Sequence, residues 1–150
     1  MPHEFHILLI DDSPSDVLIL RRALAELPIV LRLSTLADGV SAMVHLDRLS
    51  NPSTPADQVP DLVLLDLNLP GPDGAEILSR FKSDPLLRAV PVVVLTTSGR
   101  DIDVWRSYQA GANTFVQKPA DFAGYRTLAE TIGRYWERTA TRPPRRPPSG

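Results

Sequence analysis

Apolar residues along the chain alternate between two kinds of segment. Phe5–Ile10, Leu62–Asp66 and Val90–Thr96 are short, nearly continuous apolar runs, the pattern of strands buried on both faces. Val30–Thr35 alternates as a strand does, and Asn113–Gln117 completes five such segments. Between them apolar residues recur at helical spacing: Val17, Leu20, Ala23, Leu24 and Leu27 before Pro28, then Val40, Met43, Val44 and Leu46 within Asp38–Leu49. Helices are likewise predicted over Asp73–Lys82, Asp101–Ala110 and Asp121–Arg138. In the last, Phe122, Tyr125, Leu128, Ala129, Ile132 and Tyr135 form one stripe. Ser13-Pro14-Ser15-Asp16 supplies an N-cap, a proline at the first helical position and an acid in the first turn; Asp73 is a second N-cap, and Gly111 stands where a left-handed cap belongs. Strict alternation of five strands and five helices predicts a doubly wound α/β fold, with a five-stranded parallel sheet and helices on both faces.

At 150 residues and 43% hydrophobic, the chain suits one domain, expected over residues 1–138. Two proline-rich stretches interrupt the pattern: Ser50–Pro60, read as a surface loop, and residues 139–150, read as an extended or disordered, solvated Pro/Arg tail too short for an output domain. With 16 Lys plus Arg against 18 Asp plus Glu, the net charge of −2 offers no basic excess for nucleic acid. The absence of Cys excludes disulfides, thiolate metal sites and cysteine catalysis. No apolar run approaches the ~20 residues of a membrane helix, and the N-terminus lacks a signal-peptide pattern, so a cytoplasmic protein is expected.

Ligands of doubly wound folds bind beyond the carboxyl ends of the strands. Those ends carry Asp11-Asp12, Asp66, Thr96-Thr97-Ser98 and Lys118-Pro119. Clustered carboxylates repel unless they protonate or share a cation, and an all-oxygen site suits Mg²⁺. A lysine beside them suits phosphate oxygens, and together they make a site fit for phosphoryl transfer. Acids at strand ends also cap helices, the role expected of Asp16 and Asp73.

The segments LLIDDSPSD, LVLLDLNLPGPDG, VPVVVLTTS and GANTFVQKP resemble the signature blocks of the receiver domains of two-component response regulators, over about Phe5 to Trp136. The spacings agree: 30 residues from Asp66 to Thr96 and 22 from Thr96 to Lys118. The resemblance implies the flavodoxin-like, CheY-like fold and a phosphoryl group taken from a histidine kinase onto Asp66. It implies Mg²⁺ on Asp11, Asp12, Asp66 and the backbone carbonyl of Asn68, with Lys118 on the phosphoryl oxygens. It also implies a cis Lys118–Pro119 bond, a switch formed by Thr96 and Phe115, and no enzymatic activity beyond transfer onto itself. The DLNLPGPDG and LTTS blocks and a last helix running to RYWERT are similar to small regulators paired with phytochrome-type histidine kinases.

The same resemblance suggests a homodimer through the last two helices, which carry Trp105, Tyr108, Tyr125, Tyr135 and Trp136. His3, His6 and His45 have no metal-ligand spacing. Gly71-Pro72, Asn51–Pro60 and Thr97 are expected to hinder access to Asp66. Two other readings stand beside this one. An Asp-nucleophile phosphohydrolase of the haloacid-dehalogenase type expects an acid where Asn68 stands. A degenerate receiver would bind partners without phosphorylation, against the retained Asp11, Asp12, Asp66, Thr96 and Lys118.

Overall fold

The computed structural model describes residues 4–148, so His3 lies outside the described residues. Strands β1 (Phe5–Ile10), β2 (Leu31–Leu36), β3 (Leu62–Leu65), β4 (Val92–Thr96) and β5 (Thr114–Gln117) alternate with helices α1 (Pro14–Ala25), α2 (Gly39–Leu49), α3 (Gly74–Ser83), α4 (Asp101–Gln109) and α5 (Phe122–Ile132). All strand pairs are parallel, in the order β2-β1-β3-β4-β5. The predicted doubly wound fold is therefore the observed one, and its switch point lies between β1 and β3.

Alternation along the strands builds two cores. Leu8, Ile10, Val63, Leu65, Val92 and Val94 face α2 and α3, meeting Leu46, Ile77, Leu78 and Phe81. Ile7, Leu9, Leu62, Leu64, Val93 and Leu95 face α1 and α5, meeting Leu20, Leu24, Tyr125 and Ile132. The central strands are buried throughout, which is why they read as continuous apolar runs.

The predicted caps are in place. Ser13 Oγ accepts the Asp16 N–H, and Asp73 Oδ1 accepts that of Glu76. Gly111 takes a positive φ of 107° just beyond α4. On α2 the buried stripe is Ala42, Leu46 and Leu49, whereas Val40 and Val44 are exposed, so the expected apolar face is shifted. The last helix is regular only to Ile132 and widens into a π-helical stretch, Gly133–Thr139. Its stripe also changes: Tyr125, Ala129 and Ile132 are buried and Trp136 packs beside them, whereas Tyr135 is exposed, lying about 80° off Tyr125 in helical phase.

The C-terminal segment is extended as expected, but it is not a solvated tail. Arg145 grips the buried Asp61 at the start of β3 with two bonds, Nε to Oδ1 at 3.0 Å and Nη2 to Oδ2 at 2.6 Å. Arg146 donates to the carbonyls of Leu49, Asn51 and Thr54 around the end of α2. The Arg142 guanidinium stacks over Phe5, 5.0 Å from the ring centre. Composition reports the Pro/Arg content of this segment but not the acid and the carbonyls waiting for it.

Candidate functional site

Strand register assembles the site. Ile10 pairs with Leu65, so Asp11 and Asp66 leave the sheet side by side, and the Asp66 N–H donates to the Ile10 carbonyl at 2.9 Å. Thr96 pairs with Gln117, and the Lys118 N–H returns to the Thr96 carbonyl at 2.7 Å. The parity of Ile7 and Leu9, of Leu62 and Leu64, and of Val116 turns Asp11, Asp66 and Lys118 toward the α1/α5 face. Thr96 has the opposite parity and follows Val94 toward the other face, which Phe115 shares.

Lys118 Nζ lies 2.9 Å from Asp11 Oδ2, 2.9 Å from Asp66 Oδ2 and 2.8 Å from Asp16 Oδ2. The lysine and the Asp11 and Asp66 side chains are nearly sealed from solvent, at 5%, 2% and 5% exposure. Burial opposes the lysine's charge, but three carboxylate bonds outweigh it and hold the ammonium protonated above its usual range. Burial raises the Asp11 pKa, with the Ser13 N–H and Lys118 acting the other way. Burial, with the Asp16 charge, also pushes the Tyr125 phenol up to about 12.

Asp16 is the site residue that sequence reasoning missed. Its backbone N–H is capped by Ser13, but its carboxylate does no capping and crosses to Lys118. Helical phase held the clue: Asp16 precedes Val17 and Leu20 on the side of α1 that faces the sheet. Asp73 does cap, as expected.

The loop after β3 is held tightly. The Gly74 N–H donates to the Leu67 carbonyl at 3.0 Å, and a Cβ at Gly74 would collide with the Asp66 and Leu67 backbone. Asn68 is exposed; its N–H donates to Asp66 Oδ1 at 3.1 Å and its side-chain amide reaches Thr96 Oγ1 at 3.4 Å. Thr96 is fully buried. Phe115 is half-buried on β5, and its N–H donates to the Tyr108 hydroxyl at 3.0 Å. Thr97 is exposed.

One expectation is corrected. No cis peptide bond occurs among the described residues, so Lys118–Pro119 is trans. The trans form is the intrinsically favoured one, by about 0.5–1 kcal/mol before proline, and Lys118 reaches its three carboxylates from it.

Asp11, Asp12 and Asp66 each offer a carboxylate oxygen within 4.8 Å of the others. Asp12 is exposed, whereas Asp11 and Asp66 are buried. Asp11, Asp66 and Asp16 meet the one ammonium, and Asp12 adds a fourth carboxylate beside Asp11 and Asp66. Hard oxygen donors with negative charge to spare fit a divalent cation such as Mg²⁺ or Mn²⁺. No helix among the described residues is long and apolar enough to cross a membrane.

Comparison with known proteins agrees with this geometry. Residues 7–130 match the response regulator receiver domain family. The probable methanogenesis regulatory protein FilR2 of Methanothrix harundinacea is 40% identical over 88% of this chain and 83% of its own length. The response regulator Rcp1 of Synechocystis is 37% identical over 91% of this chain and 92% of its own, and its Mn²⁺-bound form superimposes with a TM-score of 0.80, at 36% identity over 92% of this chain and 98% of its own. The phosphorylated cyanobacterial phytochrome response regulator RcpA superimposes with a TM-score of 0.84, at 37% identity over 94% of this chain and 99% of its own. With the fold, the acidic cluster and the buried lysine all in agreement, the chain belongs to the receiver domains of response regulators, the proteins that histidine kinases address in two-component signalling.

Proposed function

We propose that Asp66 is the phosphoacceptor, taking its phosphoryl group from a histidine kinase. A carboxylate oxygen of Asp66 attacks the phosphorus of the kinase phosphohistidine. The P–N bond breaks as the P–O bond forms, and the imidazole leaves with the electron pair, so the chain carries a mixed anhydride. Lys118, whose Nζ stands 2.9 Å from Asp66 Oδ2, donates a hydrogen bond to a phosphoryl oxygen and meets the charge that collects there. Asp11, Asp12, Asp66 and the Asn68 carbonyl are the proposed ligands of Mg²⁺, which when bound neutralises phosphoryl charge.

The observation that carries this reading is the buried Lys118 ammonium bonded at once to Asp11 and Asp66. A merely structural ion pair needs one acid; this one leaves further carboxylates around the same point. The Thr96 hydroxyl, whose one side-chain hydrogen bond among the described residues is the long Asn68 contact, is the group we expect to turn to the new phosphoryl oxygens. The Phe115 ring would follow into the space released, giving a two-state element biased by one modification. The module thus acts as a signalling protein whose chemistry is a transfer onto itself. A hydrolase of the dehalogenase type is disfavoured, since Asn68 brings no acid.

Similarity to RcpA supports a phytochrome-type kinase as the donor. Trp105 and Tyr135, 65% and 52% exposed on the α4 and α5 side, support output through protein contact there, including a homodimer. The test is intact-protein mass after incubation with Mg²⁺ and acetyl phosphate or a phosphorylated histidine kinase. One phosphoryl adduct, absent in Asp66→Asn and after chelation, is expected. An adduct retained in Asp66→Asn would move the acceptor elsewhere, and no adduct from any donor would favour a phosphorylation-independent module.

A further inference from the structure

We infer that Asp16 is a positioning residue that acts through Lys118, competing with the incoming phosphoryl group for the lysine and thereby weakening the phosphorylated state. The inference deepens the reading of Asp66 as acceptor and rests on it.

An ammonium has three N–H donors and no more. All three are committed here, to Asp11, Asp66 and Asp16, and the Asp16 bond is the shortest of the set at 2.8 Å. A phosphoryl oxygen can therefore gain Lys118 only if a carboxylate yields it. The Asp66 oxygens are the reaction centre, and Asp11 is a proposed cation ligand. Asp16 belongs to neither group: it comes from the first turn of α1, is 27% exposed on its side chain, and is not among the three acids whose oxygens cluster. It fixes Nζ at the rim of the sheet, where it meets Asp66, and places one more negative charge beside the point where a phosphoryl dianion must form. Positioning and competition thus come from the same bond. The pairing is also specific in direction, because Ser13 already caps the α1 amide and leaves the Asp16 side chain no local duty.

Beryllofluoride, which mimics a phosphoryl group on a carboxylate, separates these effects without turnover. Removing one negative charge at this range while keeping the side chain's shape should tighten Mg²⁺-dependent beryllofluoride binding by about 5- to 10-fold in Asp16→Asn. Loss of the phosphoryl group from the phosphorylated chain should slow by a similar factor, and Asp16→Glu should return both towards wild type. If Asp16 only stabilised the fold, Asp16→Asn would melt lower and bind beryllofluoride no better, and that outcome overturns the inference. Unchanged affinity with unchanged melting overturns it equally. Wild-type protein that binds neither beryllofluoride nor a phosphoryl group overturns the acceptor reading and this inference together, whereas failure of Asp16→Asn alone leaves the acceptor reading standing.

Discussion

Replacing Arg145 by Met removes the guanidinium that covers Asp61 while keeping most of the side-chain volume. Asp61 is 3% exposed on its side chain and Arg145 14%, so the pair is buried and bidentate rather than a screened surface contact. Breaking such a pair from one side costs about 3–5 kcal/mol, because a charge is left in a poorly solvated place. Two contacts soften the loss: the His6 N–H still donates to Asp61 at 2.9 Å, and Arg142 stands 3.8 Å away. We therefore expect about 2–3 kcal/mol, at or somewhat below the lower limit of that range. For a chain of this size each kcal/mol moves the melting temperature by roughly 2–4 °C, so Arg145→Met should melt about 4–12 °C lower. The pair also predicts a pH dependence. Burial opposes the Asp61 charge, but Arg145 and the His6 N–H outweigh it and depress the carboxyl below its usual 3.8. The contribution is complete above about pH 4 and fades as pH falls through the depressed value. The assay is thermal and urea unfolding at pH 7 and pH 3, with Asp61→Asn/Arg145→Met completing a double-mutant cycle. A melting temperature within about 1 °C of wild type at pH 7 would refute the reasoning, since the tail would then not hold Asp61 in solution.

His6 predicts a second pH effect. Arg32 donates to its Nδ1 at 3.0 Å, so the proton of the neutral ring sits on Nε2, facing Ser34 Oγ at 2.9 Å. Burial, then Arg32 and Arg145, push its pKa down to about 4 from 6.5. The unfolded chain therefore binds more protons between those values, and stability should fall by about 2–3 kcal/mol as pH drops from 6.5 to 4; His6→Gln, compared with wild type by urea unfolding, should remove that slope. Gly74→Ala must push the start of α3 off the Asp66 backbone, and we expect a loss of at least 2 kcal/mol in urea unfolding together with slower phosphorylation. Lys118→Ala should keep divalent-cation binding, measured by titration calorimetry, but lose the response of oligomeric state to phosphorylation in size-exclusion runs.

The legible part of this molecule was the part governed by alternation. Leu62–Leu65 is buried on both faces and flanked by Asp61 and Asp66, so a strand ending in an acid could be read directly. Asp11, Asp66, Thr96 and Lys118 followed because they sit at strand ends, where parallel register must gather them. Val40 and Val44 misled because their spacing suits a helix, yet Ala42, Leu46 and Leu49 offered a second stripe on the same helix and won the core. Asp16 was hidden behind a sound local explanation: an acid in a first helical turn is stabilised there anyway, so nothing in the sequence demanded a partner 102 residues away. The Lys118–Pro119 expectation came from resemblance alone, and no residue pattern could have tested it.

The two features that set this chain apart from the plain alternating pattern, the proline-rich loop between α2 and β3 and the Pro/Arg tail, prove to be one structure. Arg146 takes the carbonyls of Leu49, Asn51 and Thr54, and Arg145 and Arg32 both reach the Asp57 carbonyl, so loop and tail fold against each other at the amino ends of the strands. This is the pole opposite Asp66, so Asn51–Pro60 does not hinder access to that residue, contrary to expectation. Carbonyls at the end of α2 carry the negative end of its dipole, and a guanidinium is the group that satisfies several of them at once. A long loop alone would leave those carbonyls to water, and a Pro/Arg tail without the loop would keep Asp61 and the Glu4 and Leu49 carbonyls but lose those of Asn51, Thr54 and Asp57. Each therefore supplies partners to the other, and shortening the loop to remove Asn51–Asp57 should loosen the tail by taking away part of its hold. The expected sign is rapid tryptic cleavage of the Arg145–Arg146 bond in the shortened chain, against slow cleavage in wild type; the bonds after Arg142 and Arg146 precede proline and resist trypsin in both. Equal cleavage in both would mean that Asp61 alone holds the tail.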